Sequence, residues 1–464
     1  MTSASTFPSW ASLPLSDTVL VVSSGAVIAL VALWAATLVR ARRRPAVPSW
    51  LAVAVATLLA WGAWLVVNAD GHYDDRTSVV VTRTPFVAWL PGGIDRATGA
   101  LAWLQTAAVL LGGLALADLA RRERVRAVVL WSLAAAGGVV GWLGALDRAG
   151  IGPLRFRQLP LSGTHFAMFE YHANAAAFLD LTLPAALVSC WRAWRDPVGS
   201  RSRTRRRAAA VVATAGTLVG CAAHVSKAGQ ALTFVTLVGT LVAAWSAVRV
   251  ATPRARSPLR WIAAAAFVIA VAAAGVVGAS ERWRALPAAL HADSPRVLMM
   301  RVGLHAAARA PLAGSGPGSF ELLVPTMVAD HVPALYAHWI VQPYHRGTPT
   351  TIWMRAHNDA LQTLVEWGAI GLALAAAVFI APIVGGVRAL RRRASADTAA
   401  TLAGVGALTI VGLHSVVDFP LQVLPIQLAA AAWGALVLGA TRLDSASRED
   451  DHRWRALDLS PSLD

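Results

Sequence analysis

The sequence predicts an all-α polytopic integral membrane protein: about 11–12 transmembrane helices, with a long loop on the outer face that holds short helices. Three observations predict it. Of 464 residues, 56% are hydrophobic and 14% charged, with a mean hydropathy of +0.55, whereas a soluble chain is about a quarter charged. The apolar residues fall into eleven runs close to the roughly 20 residues a helix needs to cross the hydrocarbon core. The runs are continuous rather than alternating, which excludes a closed barrel.

In chain order the runs are 17–39, 50–68, 99–119, 127–146, 173–191, 208–224, 229–248, 261–279, 360–387, 399–417 and 421–440. Arginine placement orients them. The connections 40–49, 120–126, 192–207, 249–260 and 388–398, with the tail, hold 27 of the 41 basic residues. That side is read as cytoplasmic, which leaves the N-terminus outside and the C-terminus inside. No basic stretch precedes the first run, so an N-out anchor is expected rather than a cleaved leader. Residues 1–440 are read as one membrane domain, with 280–356 its catalytic outer loop and 441–464 a disordered cytoplasmic tail. Cys190 and Cys221 lie near opposite ends of neighbouring helices, too far apart to bridge.

The net charge of +16 and pI near 11.4 would suit a nucleic acid, but such a binder has no use for apolar runs of this length. The histidines say more. Eleven of twelve, His452 excepted, fall on the outer side or at outer helix ends. Histidine moves protons near neutral pH, so a site is sought on that face.

The 280–356 connection is too long for a passive link. Within it 295–310 reads as a helix, on which Arg301, His305 and Arg309 share one stripe while Arg296 faces roughly 140° away. The bland alternative is an interfacial helix meeting lipid phosphates. The glycine-rich stretch Pro311–Gly318 offers backbone N–H groups that could cradle a phosphate, without the ending of a P-loop. Beyond it, Asn358 or Asp359 is placed to cap the next helix. Asp359, Gln362 and Glu366 then align a polar stripe on a helix entering lipid, where such groups need a protein interior or a cavity; helix–helix hydrogen bonding is the plainer account. Ser226-Lys227 holds the only lysine of the chain, at an outer helix end where snorkelling would also put it. His414 and Asp418 join the last two helices, where an aspartate could orient a histidine. Tyr171-His172-Ala173-Asn174 opens the fifth helix, with Asp180 deeper in it.

At these blocks the sequence resembles the O-antigen ligase / O-antigen polymerase superfamily of bacterial envelope glycosyltransferases. The match is His172-Ala173-Asn174 with Leu183-Pro184, then Ser226-Lys227-Ala228-Gly229, then Arg296 ahead of Pro311–Gly316, then His357-Asn358-Asp359 with Glu366 and Gly368, then His414 with Asp418-Phe419-Pro420. The resemblance implies a GT-C-like fold of about twelve passes, in the bacterial inner membrane with its site facing the periplasm or cell exterior. It implies transfer of a glycan from an undecaprenyl-diphosphate-linked donor to a lipid A–core or glycan acceptor, by inversion. Carried over, His357 is catalytic, and Arg296, Lys227 and Arg301 bind diphosphate. His172, Asn174, Asn358, Asp359, Glu366, His414 and Asp418 support them. Lys227 stands where the family usually has arginine, and Asp180 where it often has an uncharged residue.

With cations stabilising the departing diphosphate, no metal or cofactor is expected; the Asp70, Asp74, Asp75 run reads as solvated charge. Two readings from other classes stay open. A transporter or flippase for a lipid-linked glycan would use Asp180, Pro184 and Glu366 as its path, and a scaffold would leave the ordered blocks without a task. Within the superfamily, ligase and polymerase share donor and blocks.

Overall fold

The computed structural model describes residues 15–74, 79–151, 165–169, 171–195, 200–251, 258–284, 287, 295–323, 327 and 355–441. His291, His331, His338, His345, Asp75 and the tail beyond 441 lie outside them.

Each of the eleven apolar runs falls on a helix. They are α1 (Leu15–Arg40), α2 (Ser49–Val67), α3 (Arg96–Leu119), α4 (Glu123–Arg148), α5 (His172–Arg195), α6 (Ser200–Ala223), α7 (Lys227–Ala251) and α8 (Pro258–Gly278). After the short α9 (Ser280–Arg284) and α10 (Pro295–Arg309) come α11 (Asp359–Arg391), α12 (Thr398–His414) and α13 (Leu424–Thr441). Seven of these are long and apolar enough to cross a membrane, and three shorter apolar helices lie within α7, α8 and α12. One element departs from the expected all-α pattern. Gly71–Asp74 pairs antiparallel with Val79–Thr82, where Val79-Val80-Val81-Thr82 supplies a β-branched run.

Helix α5 is the centre. Residues 172–186 are all buried, the polar His172, Asn174, Asp180 and Thr182 among them, so this helix is packed around its whole circumference. Around it α4 and α6 approach through glycines: a side chain at Gly138 would run into the Ala213 backbone, and one at Gly141 into the carbonyl of Gly216. Small residues about one turn apart let membrane helices pack backbone to backbone. Helix α1 is largely exposed, as a lipid-facing helix must be.

The arginine-rich helix ends are tied together by carboxylates. Asp118 accepts from Arg43 at 2.6 Å, from Trp34 Nε1 at 3.0 Å and from the Ala46 amide at 2.9 Å. Asp397 caps α12 and pairs with Arg192 and, at 3.7 Å, Arg126. Of the described histidines, His172, His224, His357 and His414 collect at the opposite end.

Candidate functional site at the histidine-rich end

The site begins where α11 starts. Asn358 is its N-cap, the side chain accepting the Leu361 amide at 2.8 Å and donating to the Val416 carbonyl at 2.9 Å. The preceding His357 takes a left-handed φ of 51°, unusual for a residue with a side chain and characteristic of constrained sites. This turns its ring inward, where it is 6% exposed.

His357 Nδ1 lies 3.1 Å from Asp418 Oδ1. Burial pushes the Asp418 carboxyl up, but the hydrogen bond from His357 and the Arg296 charge outweigh it and hold it below the usual carboxylate range. An ionised carboxylate only accepts, so the Nδ1–H of His357 donates to it. The other carboxylate oxygen, Oδ2, lies 3.3 Å from Arg296 Nη2. The same nitrogen donates to the Tyr171 hydroxyl at 2.8 Å. Burial, with the Asp418 carboxylate beside it, pushes the phenol up to about 12. Burial works against the Arg296 charge, yet Tyr171 and Asp418 more than offset it and raise its pKa above the ordinary arginine value. Tyr171 stacks on Phe419, centroids 5.6 Å apart, and both meet the His357 ring edge-on, at 6.2 and 5.0 Å. Three distant segments, those of Tyr171, Arg296 and His357, thus converge on Asp418 and Phe419.

Around this group sit further polar residues. His172 packs against Tyr171, centroids 4.7 Å apart. His224 and His414 are buried, with ring nitrogens that have no partner among the described residues. Burial, with His172 and His414 nearby, takes the His224 imidazole down to about 3. Asn174 is buried on α5. Asp359 accepts the Leu421 amide at 2.9 Å and Gln422 Nε2 at 3.2 Å, fastening α11 to the turn before α13.

Several expected placements change. Asp418 orients His357, 61 residues away, rather than His414 four residues before it. The chain turns at the end of α12, and the aspartate's amide, not its side chain, bonds the His414 carbonyl. The glycine-rich stretch is not a phosphate cradle. The amides of Gly314, Ser315 and Gly316 bond the carbonyls of Ala310, Val365 and Glu366, and that of Gly318 bonds Glu366 Oε2 at 3.0 Å. Glu366, with Gln362 on Oε1 at 3.0 Å, therefore fixes this turn. Helix α11 breaks at Gly368, with φ of 66° and ψ of −176°, to take it in: Ala369 and Ile370 donate to Pro311 and Leu312. Arg301 lies on the exposed side of α10 with His305 and Arg309, apart from the Asp418 group. Lys227 opens α7, whose Gly229 packs on Ala176 of α5 and on His224. Asp180 accepts from Thr233 at 2.5 Å in the interior. Tyr171 is the site member that sequence reasoning left unassigned.

A membrane-embedded helical domain with a His–Asp–Arg–Tyr group at one end, its His357 and Asp418 buried and its Tyr171 and Arg296 partly exposed, defines the class: a polytopic membrane protein with a polar cluster at one helix-end face. Residues 209–376, just over a third of the chain, match the family described as O-Antigen ligase. That match supports the O-antigen ligase/polymerase superfamily, which the sequence blocks resemble. The matched segment carries Lys227, Arg296, His357 and Glu366, while Tyr171 and Asp418 lie on either side of it. No curated protein matches the chain.

Proposed function

We propose that the protein transfers a glycan from a polyprenyl-diphosphate carrier, undecaprenyl diphosphate in bacteria, to an acceptor hydroxyl at the outer face of the cytoplasmic membrane. The observation that carries this reading is the His357–Asp418–Arg296 arrangement: a base oriented by an ionised carboxylate, next to a fixed cation. His357 Nε2 takes the proton as the acceptor oxygen bonds to the anomeric carbon. The bond from that carbon to the diphosphate oxygen breaks, with inversion. Arg296, its side chain 40% exposed, meets the charge growing on the departing diphosphate. Asp418 holds the imidazole in the tautomer that leaves Nε2 free, as an orienting carboxylate does in a catalytic triad. Lys227 is a second cation for the diphosphate, and Arg301 a more distant one. His172, Asn174 and His414 line the group, and Asn358, Asp359 and Glu366 hold α11 and the glycine turn in place. Residues 280–356 supply the catalytic loop of the single domain. The acceptor is lipid A–core for a ligase or a growing glycan for a polymerase.

The test is mutation of His357 and Arg296 in a host that makes the glycan. Loss of product with lipid-linked precursor accumulating outside supports the transferase. Precursor accumulating on the cytoplasmic side supports a flippase instead, and normal glycan from both mutants removes the site assignment.

A further inference from the structure

The connection between α2 and α3 contains a long uncharged stretch. From Thr84 to Ile94, eleven consecutive residues carry no charge, bounded by Arg83 on one side and by Asp95-Arg96 on the other. A run of this length is about half of what a membrane crossing needs, and it belongs either in a protein core or along the membrane interface. The core is excluded. Phe86 is 74% exposed, and Trp89, at 83%, is the most exposed large apolar side chain among the described residues. The stretch lies between the ends of two membrane helices, α2 closing at Val67 and α3 opening at Arg96.

Asn68 gives the stretch a fixed shape. Its side chain is fully buried. Nδ2 lies 2.9–3.2 Å from the carbonyls of Val87, Leu90 and Pro91, and Oδ1 accepts the Val87 amide at 2.7 Å. Trp64 Nε1 donates to the Pro91 carbonyl at 3.0 Å, and the Leu90 amide to the Val87 carbonyl at 3.2 Å. A solvated loop leaves such groups to water. Here the protein satisfies them, which is what a backbone requires where water is scarce. Tryptophan settles at the headgroup level of a bilayer, and Arg83 and Arg96, both exposed at the edges of the stretch, suit the lipid phosphates found there.

The same segment reaches the candidate site. Gly93 donates to the Leu65 carbonyl at 2.8 Å and Ile94 to the Ser315 carbonyl at 2.9 Å. Gly316 packs so closely on Gly93 that a Cβ there would stand 2.6 Å from the Gly93 Cα. Ser315 and Gly316 are bonded in turn to Val365 and Glu366 of α11, the helix that His357 precedes. We propose that residues 84–91 seat Phe86 and Trp89 among the lipids of the membrane interface at the histidine-rich end, and that this seat sets the height of the glycine turn and of α11 above the membrane. The occupant is a phospholipid surface rather than another protein. Helices α2 and α3 bring the turn to the lipid boundary, and its charges stand at its edges, not at its tip. The insertion is independent of the transferase reading; only its effect on a lipid-borne donor rests on that reading.

The experiment uses the full chain in liposomes of phosphatidylglycerol and phosphatidylethanolamine, with Cys190→Ser, Cys221→Ala and Trp89→Cys, the thiol at position 89 carrying an NBD dye. The same label at Phe86→Cys gives an independent reading. Lipids with a doxyl group near the headgroup should quench the dye about twofold more than lipids with the doxyl near the chain end, and aqueous iodide should be largely shut out. Iodide access without doxyl quenching makes the turn a solvated loop and overturns the proposal. Shielding from iodide without doxyl quenching places a protein surface over the turn, a second copy included, and also overturns it. In transfer assays, Phe86→Ser combined with Trp89→Ser should lower kcat/KM for a long-chain polyprenyl donor about tenfold, as a misplaced site does. A water-soluble geranyl-linked donor should stay within about twofold. Equal effects on the two donors, or none on either, overturn the link to α11. Quenching needs no turnover. Lipid quenching without glycan transfer by any protein would leave the seat standing and remove the transferase reading, whereas transfer without lipid quenching would do the reverse.

Discussion

Asp418→Asn isolates the central contact. The side chain keeps its shape, but one carboxylate oxygen becomes an NH2 group that cannot accept. The bond to His357 is buried at both ends, 7% and 2% exposed, so the loss is that of a charge-assisted hydrogen bond, about 1.5–3 kcal/mol. That corresponds to roughly 10- to 150-fold in rate. The Arg296 contact adds less, since that side chain is 40% exposed and solvent screens it. If the amide nitrogen faces Nδ1, the imidazole tautomer reverses and the proton moves to Nε2; the equivalent reversal in Ser-His-Asp enzymes costs about 10⁴-fold. The pH is chosen by the direction of the Asp418 shift. A carboxyl depressed in the folded protein contributes above its unfolded value, near 3.9, and loses that contribution only as pH falls through the lower native value. At pH 7 the wild type is therefore fully ionised. The assay is single-turnover glycan transfer by purified protein in proteoliposomes, with a melting curve to show that the variant is folded. A folded Asp418→Asn enzyme within about threefold of wild type at pH 7 would refute the assigned orientation of His357.

Other outcomes follow from the same geometry. Arg296→Ala should raise the donor KM about tenfold or more, while Arg301→Ala on the exposed side of α10 stays within about twofold; the reverse order would exchange their roles. Tyr171→Phe keeps the stack on Phe419 and loses the hydroxyl that holds Arg296, so kcat/KM should fall about three- to tenfold, with the fall measured against matched melting curves. Gly368→Ala must place a methyl against the Leu312 carbonyl at φ of 66°. It should destabilise the fold by about 1–3 kcal/mol, seen as earlier thermal unfolding by tryptophan fluorescence. His224 is held neutral down to about 3, below the ordinary 6.5, so its stabilising contribution is present above pH 6.5 and is lost as pH falls from there toward 3. His224→Leu should flatten the decline of melting temperature across that window, and an unchanged slope would contradict it.

The membrane helices were legible because hydrophobic run length is a local quantity: every run, even 208–224 and 229–248 with their short connection, corresponds to a helix. The Asn358 cap was legible for the same reason, since a cap is written within four residues. The hairpin at 71–82 was passed over, because two four-residue strands are weak signals inside a long polar connection. At the site, residue types could be read but not partners. Tyr171 meets Arg296 across 125 positions, and Asp418 chose a histidine from another segment over the one nearest in sequence. The glycine stretch looked like an anion site because composition cannot show where its amides go. Glu366, 48 positions from Gly318, takes one of them, and the α11 backbone takes two more.

The most direct test of the account is transfer of a glycan from a polyprenyl-diphosphate donor by wild-type protein and by His357→Ala in the same proteoliposomes, with donor binding measured in parallel. The account predicts transfer by the wild type and a loss of about 100-fold or more in the variant, with donor binding retained. Equal transfer by both proteins, or retained donor binding with no transfer by the wild type to any acceptor, would contradict it.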